Sequence, residues 1–168
     1  VPRHRAARLD RPGHDDSLPG MTELINPSPE DLEALRGMAG GNAREGADMA
    51  PYLTEPRDLF RGHAAIVLRP ETTDAVSQIV RHCAARRIGI IPYGGGTGLV
   101  GAQLSADGAL PVVMSMERMN RIRAVIPEEG ALIAEAGVIL QDIQHAAEAA
   151  GRLFPLALAA QGSCRIGG

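Results

Sequence analysis

The stretch IIPYGGGTGLVGAQLS, Ile90 to Ser105, places five glycines within eight residues, Gly94 to Gly101, directly behind a short apolar run. Successive amides without side chains form a concave nest that donates hydrogen bonds to phosphate oxygens, and glycine lets the backbone approach closely and adopt positive φ. Thr97 adds a hydroxyl donor. A plain flexible turn between strands is the competing account, but ordering five glycines costs substantial entropy and calls for something bound. Gly96, Gly98 and Gly101 also satisfy G-x-G-x-x-G after a strand, and Glu117 follows about 20 residues on, where a ribose contact would sit in a nicotinamide-binding Rossmann unit. The interval from Ala102 to Leu110, AQLSADGAL, argues against that alternative: it carries turn chemistry at Ala106-Asp107-Gly108 and has no room for a crossover helix of about 10 residues. A Walker A loop is excluded because no Lys-Ser or Lys-Thr follows.

A second bare loop closes the chain. FPLALAAQGSCRIGG, Phe154 to Gly168, follows a helical segment and ends in small residues. Two such loops suit a long diphosphate ligand held from both sides. Cys164 lies in the second, with only Arg165 beside it and no neighbouring His or Asp, so it reads as a small packed residue rather than a reactive thiol.

Outward from the glycine loop, local signals order the chain. Ser28-Pro29-Glu30 starts a helix over Pro29 to Met38, which ends at Gly40-Gly41. Gly41 to Arg61, interrupted by Pro51 and Pro56, reads as irregular, and a well-patterned domain begins near Gly62. Ala64 to Leu68 is a buried strand; a helix capped by Thr72 or Thr73 follows, with Val76, Ile79, Val80, Cys83 and Ala84 on its inner face and Gly89 past its end. Strands are expected at Ile90 to Pro92, Pro111 to Ser115, Ile122 to Ile126 and Ala131 to Ala136, the last two forming a hairpin through Pro127-Glu128-Glu129-Gly130. A last helix spans Val138 to Ala150, with Leu140, Ile143 and Ala147 inward and His145 on the polar face. His82 and Cys83 are too isolated for a metal site, so no metal ligand and no catalytic residue is assigned.

Composition sets the outer limits. The chain has 168 residues, 45% apolar and 22% charged, with two Phe, two Tyr and no Trp, so its core is built of aliphatic residues and Met. A formal charge of -3 gives no general attraction to nucleic acid or to an acidic membrane surface. The two cysteines lack CxxC spacing, as in a reducing compartment, and no run reaches the roughly 20 apolar residues of a membrane-spanning helix. The chain reads as cytoplasmic. Residues 1–20 carry Arg3, Arg5, Arg8 and Arg11 among Pro and Gly and read as a disordered leader; a transit segment, or upstream sequence ahead of a start at Met21, are the alternatives.

Four motifs together resemble the FAD-linked oxidases of the vanillyl-alcohol oxidase type: PYGGGTGLVG at Pro92 to Gly101, MERMNRI at Met116 to Ile122, EAGV at Glu135 to Val138, and FPLALAAQGSCRIGG. Within that group the chain is similar to the D-2-hydroxyacid dehydrogenases, comprising D-lactate dehydrogenase, the glycolate oxidase flavoprotein subunit and D-2-hydroxyglutarate dehydrogenase. The resemblance runs from about Asp48 to Gly168 and implies an α+β, PCMH-type FAD-binding domain of two small α/β subdomains, with residues 62–168 as a partial domain truncated at the C-terminus. It implies that Gly94, Gly95, Gly96, Thr97, Gly98 and Leu99, entered through Pro92, hold the pyrophosphate, and that Gly101 shapes the exit. Pro155, Gly162, Ser163, Ile166, Gly167 and Gly168 would form the opposite wall, toward the flavin ring and ribityl chain.

Relatives with covalent flavin carry a histidine in the glycine loop, which here offers only Thr97, so noncovalent FAD is implied. Many relatives have threonine where this chain has Arg165. The family continues with a further Asn-Ala-Gly-Gly loop and a substrate domain bearing the catalytic histidine; this chain therefore resembles an N-terminal fragment, inactive alone. In the intact family a 2-hydroxy acid is oxidised, and a quinone, cytochrome or electron-transfer flavoprotein takes the electrons, with attachment at an inner membrane surface in some members. The other possibilities are a noncatalytic FAD- or nucleotide-binding module that works with a separate chain, and a non-functional truncated product.

Overall fold

The computed structural model describes residues 23–167; the leader expected at residues 1–20 and the terminal Gly168 lie outside them. The first element, α1 (Pro29–Met38), begins where the capping signal predicts. The Ser28 hydroxyl accepts from the Asp31 amide at 3.2 Å, and the Ser28 amide donates to Asp31 Oδ2 at 3.0 Å, which satisfies two helix-end donors at once. Asp31 also accepts from Arg86 Nε at 2.9 Å and stands 2.9 Å from His82 Nε2, so the cap fastens α1 to the next helix, α2 (Thr73–Arg86).

A four-stranded sheet in the order β1-β2-β4-β3 is formed by β1 (Ala43–Arg44), β2 (Ile66–Leu68), β3 (Ile90–Tyr93) and β4 (Val112–Ser115). Both β2 and β3 pair parallel with β4, whereas β1 pairs antiparallel with β2. Every residue of β2 and β4 is buried, as continuous apolar runs covered on both faces must be. Side chains alternate across the sheet: Ile66, Leu68, Val112 and Met114 pack with Leu35, Ile79 and Cys83 from the helices, while Val67 and Val113 meet Met49, Tyr52 and Leu53 on the opposite face.

Those last three residues belong to the stretch expected to be irregular. Gly41 to Arg61 instead contains β1 and a 3-10 segment, Gly46–Tyr52, and it covers one face of the sheet. On α2, only Ile79 and Cys83 are buried; Val80 and Ala84, placed on the same inner face by spacing, are exposed. The helix is capped by Thr72, and its left-handed terminal residue is Arg87 at φ 55° rather than Gly89.

Beyond the sheet, β5 (Ile122–Ile126) and β6 (Ala131–Ala134) form the expected antiparallel hairpin, turned by Gly130 at φ 61°. The last helix, α3 (Leu140–Ala149), buries Leu140, Ile143 and Ala147 and leaves His145 exposed. The architecture is thus α+β in two small units, a helix-covered sheet and a hairpin with α3.

The connection from β3 to β4 decides the rival dinucleotide fold. Gly94 to Pro111 contains no helix, as the short interval predicts, yet the two strands it joins are parallel. Backbone bonds to the preceding segment hold this long loop: the His63 amide donates to Ser105 O and the Ala65 amide to Pro111 O, both at 2.8 Å. A crossover without a helix leaves no helix N-terminus for a phosphate, which removes the nicotinamide-type Rossmann account.

Candidate functional site

Parallel pairing puts the carboxyl ends of β2, β3 and β4 on one side, where ligands bind in open α/β sheets. The glycine loop leaves β3 there. Gly95 makes the closest approach to backbone in the glycine loop: a Cβ on it would overlap Ser163 O and stand 2.9 Å from Cys164 Cα. Glycine is therefore required because the two bare loops touch backbone to backbone. Gly96 adopts φ +67° over the ring of Tyr93, and a Cβ there would stand 2.7 Å from Tyr93 Cζ. The loop is further tied by Gln103, whose Nε2 donates to Gly98 O at 2.9 Å.

The second loop is held by the start of the α3 unit. The Leu140 amide donates to Cys164 O at 3.1 Å, the Ile166 amide to Val138 O at 2.9 Å and the Gly167 amide to Ala136 O at 2.8 Å. These acceptors and donors run along Ala136 to Leu140, so the EAGV motif is the rail on which this wall is laid. Glu135 fixes the rail from below. Its buried carboxylate accepts from the Arg121 amide at 3.0 Å and from Arg121 Nη2 at 2.9 Å, with Arg123 Nη2 at 3.1 Å. Arg121 first, with Arg123 helping, holds the Glu135 carboxyl down to about 2.

Between the loops lies a cavity of about 510 Å³, within the size range of small-molecule sites. Of the residues expected to hold a cofactor, Pro92, Gly94, Gly95, Gly96, Thr97, Gly98, Ile166 and Gly167 line it. Leu99, Gly101, Pro155, Gly162 and Ser163 do not. Leu99 is exposed, Gly101 packs on Phe60, Pro155 faces outward and Gly162 stands over Gln141, while Ser163 forms the contact with Gly95. Gly168 is outside the described residues. Sequence reasoning did not single out Tyr93, Met116, Leu140, Leu156, Leu158, Cys164 or Arg165 as lining residues. Tyr93, Cys164 and Arg165 lie inside legible motifs next to the glycines, which is a usable signal, and Met116 opens a third motif.

Glu117, the candidate ribose acid of the Rossmann account, is engaged beneath the loop instead. It accepts from Tyr52 Oη at 2.9 Å and Arg69 Nη1 at 2.8 Å, and the Tyr52 ring meets Tyr93 edge-on at 5.1 Å. Burial pushes the Glu117 carboxyl up, but Arg69 and Tyr52 outweigh it and keep the group below its ordinary value. Cys83 is fully buried and burial pushes its thiol up to about 11, the behaviour of a core residue.

Comparison with known families matches an FAD binding domain over residues 64–168, which includes both bare loops and every strand from β2 to β6. The chain belongs to this FAD-binding family. Among its relatives are a D-2-hydroxyglutarate dehydrogenase, mitochondrial, from Danio rerio, 33% identical across 98% of this chain and 31% of its own length, and the Rattus norvegicus protein of the same name, 38% identical across 84% of this chain and 26% of its own. A putative D-lactate dehydrogenase, mitochondrial, from Schizosaccharomyces pombe is 32% identical across 84% and 28%. The chain thus spans about a third or less of the length of these relatives. A solved structure of alkyldihydroxyacetonephosphate synthase superposes with a TM-score of 0.74 at 18% identity, covering 87% of this chain and 29% of the other, which establishes a shared PCMH-type fold. No helix among the described residues of the FAD-binding domain is long and apolar enough to cross a membrane.

Proposed function

We propose that this FAD-binding domain is the cofactor-holding portion of a flavoprotein dehydrogenase that oxidises a D-2-hydroxy acid, such as D-lactate, glycolate or D-2-hydroxyglutarate, to the 2-oxo acid. The observation that carries the proposal is the closure of two glycine-bearing loops on one cavity, with Gly95 pressed against Ser163 and Cys164. The names of the relatives supply the substrate class.

The residues present fit such a ligand. Side chains at Gly95 and Gly96 would strike Ser163 and Tyr93, so bare backbone is what lets the walls close, and the successive amides of a glycine-rich turn such as Gly94 to Gly98 suit a diphosphate. Leu140, Leu156, Leu158 and Met116 offer an apolar surface for a planar ring. When bound, FAD supplies the hydride-accepting centre for the oxidation. The chain's own contribution is to orient the dinucleotide: Gly94 to Gly98 and Thr97 hold the diphosphate, and Ile166 and Gly167 bound the space from the other side. No histidine or carboxylate is among the described residues lining the cavity, so the base that takes the substrate hydroxyl proton comes from outside this lining. Attachment of FAD is noncovalent on this reading, and a quinone, cytochrome or electron-transfer flavoprotein accepts the electrons. The lining equally supports a module that works with a second chain supplying the substrate side. The free cysteines support a reducing compartment, either the cytoplasm or, as in the relatives' names, the mitochondrion.

Titration of the purified chain with FAD, followed by flavin fluorescence, tests the proposal. Saturable binding in a one-to-one ratio, with flavin released into solution on denaturation and no comparable binding of NAD, is the expected result. Failure to bind FAD would overturn it, and flavin that stays with the denatured chain would overturn noncovalent attachment. With D-lactate, glycolate or D-2-hydroxyglutarate, the loaded chain alone should reduce a dye only marginally; steady turnover would show that the base lies within these residues.

A further inference from the structure

The cradle offers amides but little charge. Among the described residues lining the cavity, Arg165 is the only one whose side chain is ionised at neutral pH. Its backbone is fixed by an antiparallel bridge to Ile139, and its Nη1 donates to Gly137 O at 2.5 Å. That bond occupies one of five guanidinium donors, and among the described residues no carboxylate pairs with Arg165. The neighbouring arginines differ. Arg69 is engaged by Glu117 at 2.8 Å, and Arg121 and Arg123 by Glu135 at 2.9 and 3.1 Å. A half-buried guanidinium on a cavity wall, with free donors and no ion-pair partner among the described residues, is a site for an anion; Glu117 feels its charge but is itself paired with Arg69.

Its position selects which part of a dinucleotide it meets. Gly95 touches Ser163 and Cys164, so Arg165, the next residue, emerges beside the amide-rich turn rather than at the distant end of the cavity. Burial and Glu117 raise the Tyr93 phenol while the charge of Arg165 opposes them, which places that charge near the Tyr93 wall beneath Gly96. A diphosphate is anionic at neutral pH, whereas the oxidised flavin ring carries no net charge to attract a guanidinium.

We infer that Arg165 is the cationic anchor for the ligand's diphosphate, supplying the charge that the glycine loop lacks. The inference rests on the FAD reading of the cavity and adds a side chain to it. Substitution Arg165→Gln removes the charge while keeping a donor for Gly137 O, and Arg165→Lys keeps a point charge without the planar fork. Affinities for FAD, ADP-ribose, inorganic pyrophosphate and riboflavin are measured for each chain across a range of salt, with circular dichroism to verify folding. R165Q should weaken FAD and ADP-ribose alike by about tenfold to a hundredfold, with R165K between it and the unaltered chain. Riboflavin affinity should not change. In the unaltered chain, FAD affinity should fall as salt rises and riboflavin affinity should not, a comparison that needs no variant.

FAD affinity unchanged in R165Q, or riboflavin weakened as much as FAD, would overturn the inference. Binding of pyrophosphate and ADP-ribose through Arg165 without binding of FAD would overturn the flavin reading and keep the anion site. Binding of FAD that is indifferent to Arg165 would do the reverse. No binding of any probe would overturn both.

Discussion

Gly95→Ala isolates the contact between the two loops. Gly95 does not have a positive φ, so alanine is conformationally acceptable there and the perturbation is purely one of space. The new methyl would overlap Ser163 O and stand 2.9 Å from Cys164 Cα and 3.0 Å from the Ser163 carbonyl carbon. All three are backbone atoms, so no rotamer change relieves the clash; ordinary carbon contacts need about 3.5 Å or more, and one loop must move by roughly 1 Å. Overpacking of this kind costs about 1–3 kcal/mol where the surroundings are rigid. Here the displaced loop is itself one wall of the cavity. The cost should therefore appear chiefly in binding: FAD affinity, read by flavin fluorescence quenching, should fall by about tenfold or more, and a displacement of about 1 Å at a binding wall is enough for that. The melting temperature of the unliganded chain should change by only a few degrees, about what 1 kcal/mol produces in a domain of this size. Unaltered FAD affinity in G95A would mean that the loops do not close on the ligand, and the two-sided cradle would have to be abandoned.

Two further predictions concern the frame that carries the loops. Leu35→Ala should reduce stability to urea by about 2–5 kcal/mol, because Leu35 is fully buried against Ile79 and the sheet; a negligible loss would show that α1 is an appendage rather than part of the core. Acid should destabilise the chain as Glu135 and Asp31 take up protons. Glu135 is held at about 2, against an ordinary 4.5, chiefly by Arg121; Asp31 is held well below its usual range by the Ser28 amide, which outweighs its burial. A folded-state value below the unfolded one gives stability that is complete above the unfolded value and is lost as pH falls toward the folded one. Melting temperatures should accordingly decline from about pH 5 downward, with a shallower decline in Glu135→Gln; identical acid profiles for the two chains would refute Glu135's share.

The sequence was most informative where structure is set locally. Ser28 and Gly130 name their own cap and turn, Thr72 is one of two threonines that the sequence offers as a cap, and Leu140, Ile143 and Ala147 reveal the buried stripe of α3 by spacing alone. β1 could not be found this way. Ala43 and Arg44 carry no alternation, and they become a strand only because Leu68 and Val67 lie opposite them. Val80 and Ala84 sit on the helical face that periodicity marks, but only the narrower stripe through Ile79 and Cys83 meets the sheet and α1, a matter of what packs against the helix rather than of its own residues. The same division runs through the site. Glycines announce close approach by their composition, whereas Leu140, marked by spacing only as a core residue of α3, reaches the cavity because the second loop folds back along the start of that helix.

Two units position the two walls, and one junction relates them. The first wall hangs from β3 and is backed by Tyr93, Glu117 and Arg69 at the ends of the parallel strands and by Tyr52 from the 3-10 segment. The second is laid along Ala136 to Leu140 and stiffened by Glu135. At the junction, the Gly137 amide donates to Met119 O at 2.8 Å, and a Cβ on Gly137 would overlap Met116 O and stand 2.8 Å from Met119 O. Met116 lines the cavity just beyond β4, while Gly137 O receives Arg165. The MERMNRI and EAGV motifs therefore need hold no ligand themselves for their spacing to matter: they set the separation of the walls, and the bare loops can meet at Gly95 only when that separation is correct.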